Sequence, residues 1–200
     1  MVLIDSYSET NQDTSGDANH IYPGVSGKPS DNGQSFTMLS TDHKLTSCKF
    51  YLKKVGNPTG VMRALLFAHS GTYGSSSLPT GNALATSDDF DPSTVGTVVY
   101  ALYTFTFSGA NQYQMVANTK YCIDLRVISG TWDNNNKISA GCDGSSPSHS
   151  GNLFQYYGVW DHYSGAYDLC FYVYGDVVGG GVSIPVMMHH YSQMHKIHGG

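Results

Sequence analysis

The sequence predicts an all-β fold: a jelly-roll-like β-sandwich of about eight antiparallel strands with a C-terminal extension. Three observations predict it. Apolar and polar residues alternate with period two along residues 33–52 and again, in aromatic and β-branched blocks, along 167–175, the pattern of strands with one face on a core. Turn-forming residues cluster at the breaks, as in Gly56-Asn57-Pro58-Thr59-Gly60, where the chain needs positive φ or a preset bend. No stretch keeps a helical period long enough to compete; 61–67 is short, and its flanking turns and neighbouring strands favour β.

In chain order, residues 1–8 predict a short strand. Residues 9–32, rich in Asn, Asp, Ser, Gly and Pro, predict a long irregular loop. A strand over 34–39 and a turn over 40–44 lead into a strand over 45–55. In that strand Cys48, Phe50 and Leu52 share one face and Lys49, Tyr51 and Lys53 the other, so the first set points inward. Residues 61–69 follow as a strand and 70–91 as a long polar excursion. Residues 98–107 form a strand with apolar residues on both faces. In the strand over 118–128, Ile123, Leu125 and Val127 alternate with Asp124 and Arg126. Residues 138–142 are expected to pair back across the loop 130–136. Residues 143–164 predict a second long loop carrying Trp160 and several tyrosines. The last core strand, 167–174, is expected beside an early one. The sandwich domain therefore spans 1–175, and 176–200 read as a Gly-rich linker and a tail rich in Met and His.

Composition narrows the function. Charged residues make up 12% of the 200-residue chain, about half the usual share; neutral polar residues and tyrosines take their place, as in extracellular and virion proteins. The net charge of −5 comes with no basic cluster, which argues against phosphate-backbone recognition and so against nucleic acid. No apolar run is long enough to span a bilayer. The first residues lack the basic and apolar regions of a signal peptide, so the expectation is a leader removed earlier or release without one. The four cysteines, Cys48, Cys122, Cys142 and Cys170, form no C-x-x-C, which argues against a zinc knuckle or redox motif. With a hairpin turn at 130–135, Cys122 and Cys142 would face each other, as a disulfide or as buried thiols. Cys48 with Cys170 is a second candidate pair if the end strands lie together.

An ordered series of short motifs adds to this reading: G-Q-S-F-T (33–37), L-T-S-C-K-F-Y-L (45–52), G-N-P-T-G (56–60), L-P-T-G (78–81) and A-N-T-K-Y (117–121). Over residues 30–175 it resembles the choice-of-anchor type R domains and related β-sandwich modules of bacterial, archaeal and phage-encoded surface proteins. The resemblance implies an extracellular sandwich without known catalysis and carries no active site to transfer. A Met/His tail stands where an anchor would, which favours a particle or filament protein.

Each candidate site has a structural alternative. Asp88, Asp89 and Asp91 sit in S-D-D-F-D-P, which reads as turn chemistry rather than a catalytic pair. His69-Ser70 and Ser148-His149-Ser150 place His beside Ser, but no G-x-S-x-G elbow is present. Asp13 and Asp17, with Asp168, would supply hard oxygen ligands to calcium if the N-terminal loop folds onto the last strand; apart from calcium no cofactor is expected. Trp132 and Trp160, with Tyr157 and Tyr163, lie in loops beside polar residues, where exposed rings grip sugars or cover an interface. The tail residues Ile184, Val186, Met187, Met188 and Tyr191 suit an assembly arm that adds a strand to a neighbour's edge. The expectation is a non-enzymatic structural subunit of an extracellular or virion assembly (capsid, decoration, fibre or surface filament), a homo-oligomer joined through its tail. The alternative is a carbohydrate-binding module that uses the loop aromatics.

Overall fold

A strand that is apolar on one face must bury that face, and here two antiparallel sheets bury theirs against each other. The computed structural model of the chain describes residues 1–13, 20–21, 27–163 and 167–179. Within them the strands are β1 (Val2–Tyr7), β2 (His20–Ile21), β3 (Asp31–Thr37), β4 (His43–Val55), β5 (Val61–Ser70), β6 (Leu78–Thr86), β7 (Ala101–Thr106), β8 (Gln114–Met115), β9 (Lys120–Ser129), β10 (Lys137–Ala140), β11 (Cys142–Asp143), β12 (Leu153–Tyr156), β13 (Trp160–His162), β14 (Asp168–Leu169) and β15 (Phe171–Val177). The fold is an all-β sandwich, as the sequence predicts.

One sheet is built on the long strand β4 and runs β1-β15-β4-β10-β2, with β7 and β8 on the other edge of β4. The early and final strands do lie side by side, with Phe171 opposite Phe50. The other sheet runs β13-β12-β3-β9-β5-β6, and β11 pairs with β14 as a separate short ladder. Between the sheets lies one core of Phe36, Phe50, Leu52, Leu66, Phe105, Ile123, Leu125 and Phe171, with Cys48 beside them. Cys48, Phe50 and Leu52 point inward as their spacing requires. Each large apolar side chain buried there contributes about 1.5–3 kcal/mol.

The end strands of the second sheet, β6 and β13, touch each other, so this sheet curls. Two local features permit the curl. Between β5 and β6 the register shifts at Phe67, so that residues 81–84 oppose it alone; Gly81, at φ +70°, opens that bulge. On β3, Gly33 lies opposite Phe154, where an added Cβ would stand 2.3 Å from the Phe154 ring. Only glycine lets that ring lie across β3. The concave face then gathers a second, smaller apolar cluster of Leu65, Phe67, Cys122 and Phe154, with Leu78 and Trp160 packed on it.

Several expectations are corrected. Strand β6 occupies the stretch read as a polar excursion, and β12 and β13 occupy the stretch read as a loop. Strand β10 pairs with β4 and β2, not with β9, so residues 130–136 cross between the sheets instead of closing a hairpin. This separates the proposed Cys122–Cys142 pair: Cys122 faces the concave side of the curled sheet and Cys142 lies in the main core. All four cysteines are buried thiols outside any disulfide, the Cys48 and Cys170 pair included. Strand β15 continues through Asp176 and Val177, two residues past the boundary drawn at 175.

Candidate ligand site at the mouth of the curled sheet

Strand β9 has two buried faces of opposite character. Tyr121, Ile123 and Leu125 enter the main core. Cys122, Asp124 and Arg126 turn to the concave side, because successive residues of a strand point to opposite faces. Directly paired residues of antiparallel strands share a face, so Asp31 and Gly33 of β3 and Arg63, Leu65 and Phe67 of β5 join them there. Phe154 and Tyr156 of β12 and Trp160 of β13 complete the curl.

The centre of this face is a charged triplet. Arg126 donates from Nε to Asp31 Oδ2 at 2.6 Å, and its Nη2 lies 3.2 Å from Asp124 Oδ2. Its guanidinium carbon sits 5.6 Å from the ring centres of both Phe67 and Trp160, within reach of cation–π attraction from each. Trp160 in turn meets Phe67, Phe154 and Tyr156 edge to face. Asp124 is completely buried, and neither carboxyl oxygen receives a well-directed hydrogen bond. Its contact with Arg126 is therefore one of charge. The other nearby cation, Arg63, is engaged by Asp89 at 2.6 Å. Two carboxylates thus share one guanidinium.

Burial, and then the charge of Asp31, pushes the Asp124 carboxyl well above its ordinary value, with Arg126 pulling the other way. Burial also raises Asp31, against the opposing pull of Arg126. Asp31 has the shorter, directed contact with the guanidinium, so Asp124 is the more readily protonated of the two. Carboxyls displaced in this manner concentrate at functional sites. Above the triplet opens a pocket of about 410 Å³ lined by Asp31, Phe67, Asn82, Arg126, Tyr156 and Trp160 among others. The bulge at 81–84 supplies its far wall.

Of the loop aromatics that the sequence offers, Trp160 and Tyr156 line this pocket. Tyr157 and Tyr163 lie at a separate hollow of about 270 Å³ with Gln155, Asp161 and His162. There the Tyr157 hydroxyl donates to Gln155 Oε1 and Tyr163 packs against Tyr167. Trp132 is no platform: it is 8% exposed, belongs to the main core and donates its indole N–H to the Ser129 carbonyl. Its loop crosses the end of the sandwich, so the ring covers the core.

Two of the carboxylates suited to calcium, Asp168 and Asp13, are held by protein donors. Asp168 accepts from Gln34 Nε2 and from the His149 N–H, and Asp13 Oδ2 accepts from the Gly144 N–H. Asp17 lies outside the described residues, as do Ile184, Val186, Met187, Met188 and Tyr191. Among the described residues no three His, Cys, Asp or Glu side chains group as a metal site. The Ser-His adjacencies are structural. His149 Nδ1 accepts the Gly151 N–H at 3.0 Å and its Nε2 lies 3.3 Å from Asp5, so no ring lone pair is left for a serine. Asp91 accepts from the Ser93 N–H, the local bonding expected of a turn residue, and Asp88 accepts from the Ser108 hydroxyl of the strand-end loop beyond β7.

Sequence reasoning missed Asp31, Asp124 and Arg126 because a polar residue alternating with apolar ones reads as solvent-facing. The signal for β12 and β13 was present: Leu153-Phe154-Gln155-Tyr156 and Val159-Trp160 flank Gly158, whose φ is +92°, a hairpin pattern. The chain matches no protein-family model, no curated protein and no solved structure.

Proposed function

We propose that this chain is a non-enzymatic recognition module of an extracellular or virion assembly, and that it binds carbohydrate at the mouth of the curled sheet. The observation that carries the reading is the gathering of Trp160 and Tyr156 with Asp31, Arg126 and Asn82 around one open pocket. A sugar ring presents apolar C–H faces and a rim of hydroxyls. Aromatic surface suits the faces, and a few convergent charged and amide groups suit the rim. Glycosidic cleavage needs two carboxyls flanking the scissile bond. Asp124 lies beneath Arg126 with no exposed surface, out of a substrate's reach, so the pair favours binding over hydrolysis. The resemblance to surface modules without known catalysis agrees with this reading.

The test is a fluorescence titration of the full chain with a panel of soluble oligosaccharides. The expected result is a saturable shift with at least one glycan, kept in Trp132→Phe and lost in Trp160→Ala. No shift across the panel overturns the reading.

A second reading, a structural subunit assembled through its tail, has a specific observation in its favour. Strand β15 ends between β4 and the first residues of β1, so residues 180–200 follow from a point beside the outermost strand of that sheet. The apolar Val2 and Leu3 of that strand are 39% and 44% exposed, an edge open to strand addition. Light-scattering mass of the full chain and of a chain ending at Gly179 tests it. Defined oligomers only with the tail support assembly; monomers in both overturn it.

A further inference from the structure

We infer that the pocket selects a carbohydrate carrying a protonated amine, a glycan with free amino sugars, over neutral or N-acetylated ones. The inference rests on the carbohydrate reading and goes past it to the kind of sugar.

The argument is one of charge balance. Every charged group facing the concave centre can be counted by element. From β3 comes Asp31; from β9 come Asp124 and Arg126, with the Cys122 thiol held neutral by burial, and, at the far end of the same face, Lys120, whose ammonium lies 4.7 Å from the Tyr73 ring centre. From β5 come Arg63, already paired with Asp89, and, toward the Lys120 end, His69, whose Nε2 lies 2.9 Å from the Ser77 hydroxyl. Phe154, Tyr156 and Trp160 bring no charge from β12 and β13, and His162, opposite Phe154 on β13, lies 3.8 Å from Asp161 at the exposed end of the face. At the centre itself, two carboxylates in contact with one guanidinium leave one negative charge without a contacting cation. Both Asp124 oxygens are buried and receive no well-directed hydrogen bond. An uncompensated buried carboxylate is costly, and the site meets that cost with a proton or with a bound cation.

The pocket is shaped for the cation. Asp31 lines it, Arg126 couples Asp31 to Asp124 behind it, and Trp160, Tyr156 and Phe67 offer ring surface that attracts an ammonium group. An ammonium against Asp31 draws on the charge of both carboxyls, because Arg126 no longer has to neutralise Asp31 alone. Asp124 acts through its charge and not by contact. When the ligand ammonium arrives, the proton on Asp124 leaves to solvent, and the site ends with two carboxylates facing two cations. A neutral or N-acetylated sugar offers no such exchange.

The experiment compares a glucosamine oligomer with its N-acetylated counterpart of equal length on the full chain. Binding is followed by fluorescence at a pH where the amine is protonated. The expected result is binding of the free-amine oligomer tighter by roughly tenfold, the effect of one well-placed charge contact. In Asp124→Asn, confirmed as folded by its melting curve, the ratio of the two affinities falls to near one. Equal or tighter binding of the N-acetylated oligomer to the natural chain overturns the inference while leaving the carbohydrate reading intact. So does a preference unchanged in Asp124→Asn. Failure of both oligomers and of all other glycans overturns both.

Discussion

The two faces of β9 serve different ends: one buries three side chains, the other two, with Arg126 at 28% exposure beside them. On the main-core face, Tyr121, Ile123 and Leu125 pack into a layer of apolar side chains from both sheets. On the concave face, one strand-width away, Cys122, Asp124 and Arg126 alternate with them and bury two carboxyls under a single guanidinium. A protein selecting only for stability fills such a space with apolar residues, since replacing a buried ion pair by well-packed apolar side chains is often neutral or stabilising. The difference teaches that the curled sheet gives up stability on one face to hold charge beside a pocket.

That comparison is sharpened first where the effects are largest. Leu125→Ala is expected to cost about 3 kcal/mol, the usual range for a fully buried leucine, read from the denaturant midpoint. A loss below about 1 kcal/mol would mean that the main-core face is looser than its burial says. Arg126→Met comes next. It removes the one cation and leaves Asp31 and Asp124 buried together, at a cost of about 3 kcal/mol that grows as the pH is raised. If Arg126→Met is as stable as the natural chain, the concave face is wet and its charges are ordinary surface charges.

Asp124→Asn probes the same face in the opposite direction, with an effect smaller at neutral pH than either of those. The folded carboxyl titrates above the ordinary 3.8, pushed there first by burial and then by Asp31. The folded state therefore holds a proton that the unfolded chain has already lost, and stability falls as pH rises between the two values. Below 3.8 the contribution is complete; it is lost as pH rises through the folded value. Asp31, also raised, adds to the same slope. Melting temperatures of the natural chain are expected to fall across that window, and those of Asp124→Asn to fall less. Parallel curves for the two proteins would show that Asp124 is ionised in both states.

The main-core half of this contrast was legible in the sequence and the concave half was not. Cys48, Phe50 and Leu52 announce their face by period two, and the adjacency of β4 and β15 follows from two strong strands that need partners. The same alternation misleads at Asp124 and Arg126. Period two says that they oppose Ile123 and Leu125; it does not say that the sheet curls and buries both sides. The curl depends on Gly33 admitting the Phe154 ring and on the bulge at 81–84, contacts between residues far apart in sequence. Trp132 misled for a similar reason, because a tryptophan in a loop lies over a core end as readily as on a ligand.

The smallest expected effect serves as the internal standard. Arg63 and Asp89 form a pair at the same 2.6 Å separation as Arg126 and Asp31, and Arg63 stands directly opposite Arg126 across β5 and β9. The side chains of Arg63 and Asp89 are 36% and 58% exposed, whereas that of Asp31 is 3% exposed. Water screens the first pair, and such pairs couple by about 0.5 kcal/mol. A double-mutant cycle on Arg63→Gln and Asp89→Asn is expected to return a coupling of that size that fades with added salt. The matching cycle on Arg126 and Asp31 is expected to return several times more and to resist salt. Equal couplings would mean that distance alone governs both pairs. They would also mean that burial on the concave face gives its charges no special strength, which would remove the physical ground for ligand selection there.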